Sequence, residues 1–228
     1  MKKKLTIALL LFIASSNVFA QKFRFGLSGN TGYAWLKPTI KGLSTNGGQA
    51  GFGYGLMFDY NLSDNYAITS GLEVNYRGGG VNFNFDYGNT ATTTGAANIN
   101  LQYIEIPLQL KMKTKAIGYF TYYAAFGGSA GYALSRTGNY SLKEPGSSFT
   151  GKQKVVVNDN LKDFVNPFAL SLLINLGTEY NISGKTSLVG SLFFNNCFTD
   201  VLTDVTLSKL YTINSRANVV GLKLGIFF

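Results

Sequence analysis

Apolar and polar residues alternate with a period of two along most of this chain, and eight stretches carry the pattern at strand length: 23–35, 50–62, 66–77, 99–113, 119–135, 166–182, 186–198 and 217–228. The clearest is "FGYGLMFDYNL". There Phe52, Tyr54, Leu56, Phe58, Tyr60 and Leu62 share one face, and Gly53, Gly55, Met57, Asp59 and Asn61 share the other. A register slip of one residue would exchange the two faces, so the pattern fixes the pairing. No amphipathic helical period separates the strands, which predicts an all-β chain.

The connections have their own rhythm. After the second, fourth and sixth strands come the tight polar turns "SDN", "TKAIG" and "SGK"; after the first, third, fifth and seventh come long segments rich in Gly, Asn, Thr and Ser. An even number of antiparallel strands with short turns at one end and long loops at the other predicts an eight-stranded antiparallel up-and-down transmembrane β-barrel, with long extracellular loops and short periplasmic turns. The strands are long enough to cross a hydrocarbon layer when tilted.

The size of the lumen decides which face meets lipid. Eight strands enclose just enough room for side chains, so the Phe-, Tyr- and Leu-rich face is expected outside and the Gly, Ser, Asn and charged face inside. A lipocalin-like barrel would reverse this and need a polar coat, which the Gly-rich face supplies poorly. In "YIEIPLQLK", Ile104, Ile106, Leu108 and Leu110 then face lipid, and Tyr103, Glu105, Gln109 and Lys111 face the lumen. Pro107 has no amide donor, so a bulge or a missing ladder bond is expected beside it. Tyr60, Tyr66, Tyr76, Tyr119 and Tyr180 are candidates for the interfacial aromatic girdles.

The N-terminal residues 1–20, with Lys2, Lys3 and Lys4 ahead of "LTIALLLFIA" and small residues at Val18 and Ala20, read as a cleaved signal peptide, leaving 21–228 as the barrel domain. Without those lysines, 17 basic residues remain of the 20 in the full chain, against 11 acidic ones. They form no dense block, so nucleic acid is not an expected partner. The lone Cys197 can make no internal disulfide.

The segment "LQYIEIPLQLK" ahead of a short turn, the opening "FRFGLSGNTGYAW" and the closing "GLKLGIFF" together resemble the PorT-like outer-membrane β-barrel family of Gram-negative bacteria. Tyr103, Glu105 and Pro107 match its Y-[LI]-E-[IL]-P core. The resemblance implies an eight-stranded outer-membrane barrel, and some members of the family are associated with type IX protein secretion. It brings no catalytic residues. The terminal Phe228 resembles the C-terminal signal read by barrel-assembly machinery.

Candidate chemistry is sparse. The chain has no histidine, the usual general base of outer-membrane hydrolases, and no cofactor is expected. Asp159 with Asp163 and Asp200 with Asp204 lack calcium-loop spacing, so no metal site is assigned. On the inward face lie four acids, Asp59, Glu73, Glu105 and Glu179, and four bases, Arg24, Arg77, Lys111 and Lys223. Equal numbers predict mutual pairing into a structural plug, with Arg24, Asp59, Lys111 and Glu179 toward the periplasmic end; a narrow ion path is the alternative. Residues 135–163 carry Arg136, Lys143, Lys152, Lys154 and Lys162 against Glu144, Asp159 and Asp163, a modest excess that suits glycolipid phosphates.

These features predict an outer-membrane protein, not an enzyme, with a structural or interaction role, an accessory to secretion or envelope assembly. The alternatives are a narrow channel, or adhesion through the long loops. Expected partners are outer-membrane lipid and glycolipid, the barrel-assembly machinery during biogenesis, and secretion or envelope proteins.

Overall fold

A computed structural model describes residues 22–39, 43–86, 92–143, 165–184, 186–202 and 214–228. The segment read as a signal peptide lies outside these, as do most of the loop 135–163, including Glu144, Lys152, Lys154, Asp159, Lys162 and Asp163, and the residue Asp204.

Eight strands, β1 (Phe23–Pro38), β2 (Leu43–Asn61), β3 (Tyr66–Asp86), β4 (Thr92–Lys113), β5 (Phe120–Lys143), β6 (Phe168–Ser183), β7 (Thr186–Cys197) and β8 (Ser215–Phe227), pair antiparallel in sequence order. The barrel closes where β1 meets β8, from Gly26↔Phe227 to Pro38↔Ser215. Closure leaves no strand edge inside the wall, which is what a backbone in lipid requires. Gly118 and Gly184 hold positive φ, 63° and 57°, in two of the short turns, a conformation that glycine reaches without a side-chain clash.

The period-two reading assigns the faces correctly. On β4, Ile106 and Leu108 are 57% and 62% exposed, whereas Glu105 and Lys111 are each 2% exposed. Around the outer wall, Phe23, Tyr60, Tyr66, Tyr119, Tyr180 and Phe228 form an exposed aromatic belt at the turn end. Tyr33, Phe52, Tyr132 and Phe168 mark a second belt toward the loop end. Tyr76 belongs to this second belt, stacked on Phe52 with ring centroids 4.4 Å apart. Aliphatic side chains such as Leu56, Leu72, Leu108, Leu176, Leu192 and Leu222 fill the band between, the arrangement of a lipid-crossing barrel.

One expectation is corrected, and another is decided between its two alternatives. The first concerns the long connections: β2 begins at Leu43, β3 runs to Asp86, β4 begins at Thr92 and β5 runs to Lys143, so much of what reads as loop is strand. Alternation fades there because glycine and asparagine interrupt it, as at Asn46, Gly47 and Gly48 and at Gly78, Gly79 and Gly80, while backbone pairing continues regardless of side chain. The second concerns Pro107. The β4–β5 ladder passes through Pro107↔Ser129 without a bulge; its register shift lies between Gln102 and Tyr103. On the other side the β3–β4 ladder breaks after Ser70↔Leu108 and resumes at Glu73↔Glu105. The proline thus removes ladder bonds and leaves the register intact. Ser70 Oγ donates to the Pro107 carbonyl at 2.8 Å across this gap.

Candidate functional site: a stratified lumen

The lumen is built in three levels, and the strand register places each residue in its own. At the turn end, β1, β2, β4 and β6 bring Arg24, Asp59, Lys111 and Glu179 into one cluster. Lys111 Nζ donates to Asp59 Oδ2 at 2.8 Å and pairs with Glu179; Arg24 Nη2 lies 2.8 Å from Glu179 Oε2 and 3.5 Å from Asp59 Oδ2. Thr69 Oγ1 donates to the second oxygen of Asp59 at 2.7 Å. Rings complete this floor: the Arg24 guanidinium lies 4.4 Å from the centroid of Phe227, and the Lys111 ammonium 4.3 Å from that of Tyr123 and 5.0 Å from that of Phe227. Cations over aromatic faces gain electrostatic attraction that strengthens with desolvation.

At the middle level, Lys223 Nζ donates to Glu73 Oε1 at 2.6 Å. A chain of polar side chains runs across the strands beside it. Asn30 Nδ2 donates to Asn75 Oδ1 at 3.0 Å, Asn75 Nδ2 donates to Glu105 Oε2 at 3.0 Å, Arg77 pairs with Glu105, and Arg77 Nη1 donates to Ser171 Oγ at 3.3 Å. Gly53 lies under the Asn30–Asn75 bond, where a Cβ would collide with both amides. Glu73 and Glu105 face each other directly across β3 and β4. Like charges in that position repel, and here each carboxylate has its own base.

All eight inward charges singled out from the sequence are therefore brought into contact with a partner of opposite sign. Two adjoining cavities of about 30 Å³ each remain between the levels, with Glu73, Pro107, Asn175 and Lys223 lining both. Each holds little more than a water molecule or two. Gln109 Nε2, Asn175 Oδ1 and Asn195 Oδ1 line them and are without a protein partner among the described residues.

The third level is apolar, which the expected polar lumen does not include. Leu36, Val81, Ile99, Leu101, Tyr103, Ala133, Ala169, Cys197 and Ala217 meet inside the loop end of the barrel with Val165, Val201 and Leu202. The last three come from segments flanking β6 and following β7, and they are held over the mouth by backbone pairing of Val165 with Leu202 and of Leu202 with Ser215. Here the lumen is filled by a small apolar core of the kind that packs a soluble protein. The signal was present in the shared parity of Ile99, Leu101 and Tyr103 on β4, but an apolar residue on the inner face cannot be told from a polar-lumen exception without its partners.

Phe227 and Phe228 divide their work by the same parity. Phe227 is 1% exposed and closes the floor, while Phe228 is 43% exposed and lies against Phe25, ring centroids 5.6 Å apart, on the outer wall. Asp200 is within ion-pair reach of Arg216, at 3.3 Å. No group of three or more potential metal ligands occurs among the described residues. No helix among them is long and apolar enough to cross a membrane, which has no bearing on a barrel that crosses with strands.

The family model described as "Outer membrane protein beta-barrel domain" matches residues 19–205. Among solved structures, the chain is similar to neisserial surface protein A at 11% identity, covering 88% of this chain and 95% of that one with a TM-score of 0.43. It is similar to OprG of Pseudomonas aeruginosa at 13% identity, with 90% and 94% covered and a TM-score of 0.40. A major outer membrane protein from Thermus thermophilus is similar at 14% identity, with 90% and 98% covered and a TM-score of 0.44. No curated protein sequence matches the chain significantly.

Proposed function

Because this chain belongs to the outer membrane protein beta-barrel domain family, we propose that it serves in the outer membrane as a sealed barrel whose work is structural and interactive, an accessory to protein secretion or envelope assembly as the PorT-like motif at Tyr103, Glu105 and Pro107 suggests. One observation carries this reading: the lumen is occupied at every level, by the paired charges and rings of the floor and by the apolar cluster at the mouth. A path for ions would have to break both. Activity is then assigned to the surfaces the barrel presents, foremost the portions of β3, β4 and β5 that run past the loop-end belt, and no chemical step is assigned.

Two measurements test it. Purified barrel in a planar bilayer is expected to give no single-channel steps; steady openings would favour the narrow-channel alternative. Mild-detergent purification of tagged protein from its native membrane is expected to bring down secretion or envelope-assembly proteins in near-stoichiometric amount, and recovery of the barrel alone would count against an accessory role.

Signal-peptide cleavage after Ala20, extracellular loops and recognition of Phe228 by assembly machinery belong to the same proposal. Phe228 faces outward, where a receptor can read it. Phe228→Ala is accordingly expected to lower the amount of folded, heat-modifiable barrel in cells several-fold while leaving the denaturation midpoint of the purified protein nearly unchanged. A drop in both would assign Phe228 to stability alone.

A further inference from the structure

The outer wall at the β1–β8 seam carries a charge arrangement that the lumen does not explain. Lys37 and Arg216 are direct partners across the ladder, and both are exposed. Like charges directly opposite one another on a sheet repel. One carboxylate, Asp200, reaches Arg216 Nε at 3.3 Å; the Arg216 side chain is nevertheless 48% exposed, and Lys37 has no ion-pair partner among the described residues. Of two neighbouring cations on the outer wall, one is thus paired with an acid and the other is not, among the described residues.

Their level gives the arrangement a meaning. Trp35 is one step nearer the membrane on the same face of β1, opposite Asn218, whose Oδ1 accepts from Asn196 Nδ2 on β7. Tyr33, a further step down, is in ring contact with Trp35 at 6.3 Å. Aromatic rings of a barrel wall mark the boundary between hydrocarbon and headgroups. Residues just beyond them stand in the layer of sugars and phosphates, where a multiply charged oxyanion can bridge an ammonium and a guanidinium side by side.

We propose that Lys37 and Arg216, with Trp35 beneath them, form a site on the outer wall for the phosphorylated sugar headgroup of an outer-leaflet glycolipid. The site rests on the outer-membrane reading with the loop end outside. Phosphate meets the two cations and relieves their repulsion, the indole faces the sugar, and Asp200 competes with phosphate for Arg216.

The test uses the purified full barrel in detergent with lipid A as the probe, either bisphosphorylated or with its phosphates removed, and reads lipid retention by native mass spectrometry. The wild-type barrel should retain the phosphorylated form preferentially, and Lys37→Gln with Arg216→Gln should lower retention about twentyfold, from the attraction of roughly two basic groups to an anionic surface. Asp200→Asn should increase retention. Equal retention of the two lipids, or no response to either substitution, would overturn the site. Orientation is tested separately by labelling Thr39→Cys on intact cells with a membrane-impermeant maleimide, Cys197 being buried. Labelling without phosphate-dependent retention removes the site and leaves the orientation standing; retention without labelling removes the orientation and with it this lipid as the physiological ligand.

Discussion

Replacing Lys111 with alanine should lower the unfolding free energy of the barrel by about 3–5 kcal/mol, the range found when one partner of a buried ion pair is removed. Lys111 is enclosed by Asp59, Glu179, Tyr123 and Phe227. Without it two buried carboxylates share Arg24, which holds Glu179 at 2.8 Å and Asp59 only at 3.5 Å. The charge of Asp59 is then left with Thr69 as its close donor. Adding Asp59→Asn to a Lys111→Met background should restore much of the loss, because one acid then matches one base and the methionine keeps the packing against the two rings. Trp35, the single tryptophan, reports unfolding by fluorescence in a denaturant titration. An unchanged midpoint for Lys111→Ala would mean that water reaches the floor and solvates its acids.

Glu105→Ala should be the next most damaging change, at about 3 kcal/mol. It strips the buried Arg77 of its carboxylate, leaving Ser171 and the Tyr103 ring 5.8 Å away, and it takes the acceptor from Asn75. Glu105→Gln separates the two losses: the amide oxygen can still accept from Asn75, but the guanidinium loses its counter-charge, so an intermediate effect is expected. Combining Glu105→Ala with Arg77→Met should cost less than the two single losses together, by a coupling of about 1–3 kcal/mol. Strict additivity in that cycle would separate the two side chains energetically despite their contact.

Much of this was legible from the chain. Alternation at Phe52 to Leu62 and at Ile104 to Leu110 assigned faces because lipid and lumen impose opposite demands on neighbouring residues. The same parity drew the eight lumen charges into one set. It did not give their partners: Lys223 meets Glu73 and not Glu105 because of how far each strand is displaced against the next, which depends on the whole circuit of pairing. Nor did it reveal the rings of Tyr123 and Phe227 as part of the floor. The strand extensions at Leu43 to Gln49 and Gly78 to Asp86 were invisible for a different reason: Asn46, Gly47 and Gly48, and Gly78, Gly79 and Gly80, interrupt the alternation there, while backbone pairing needs no side-chain period.

Pairs such as Arg24 with Glu179 and Lys223 with Glu73, separated by 155 and 150 residues, give the lumen a part in the fidelity of assembly. Neither pair can form within a hairpin or between consecutive strands. A sheet that curls shut with one strand missing, or with the seam displaced by two positions, still satisfies its backbone and still turns grease outward, yet it carries unmatched charges to its centre. The interior thereby acts as a checksum on closure: only the correct circuit of eight strands neutralises it, and errors that the wall tolerates are penalised inside.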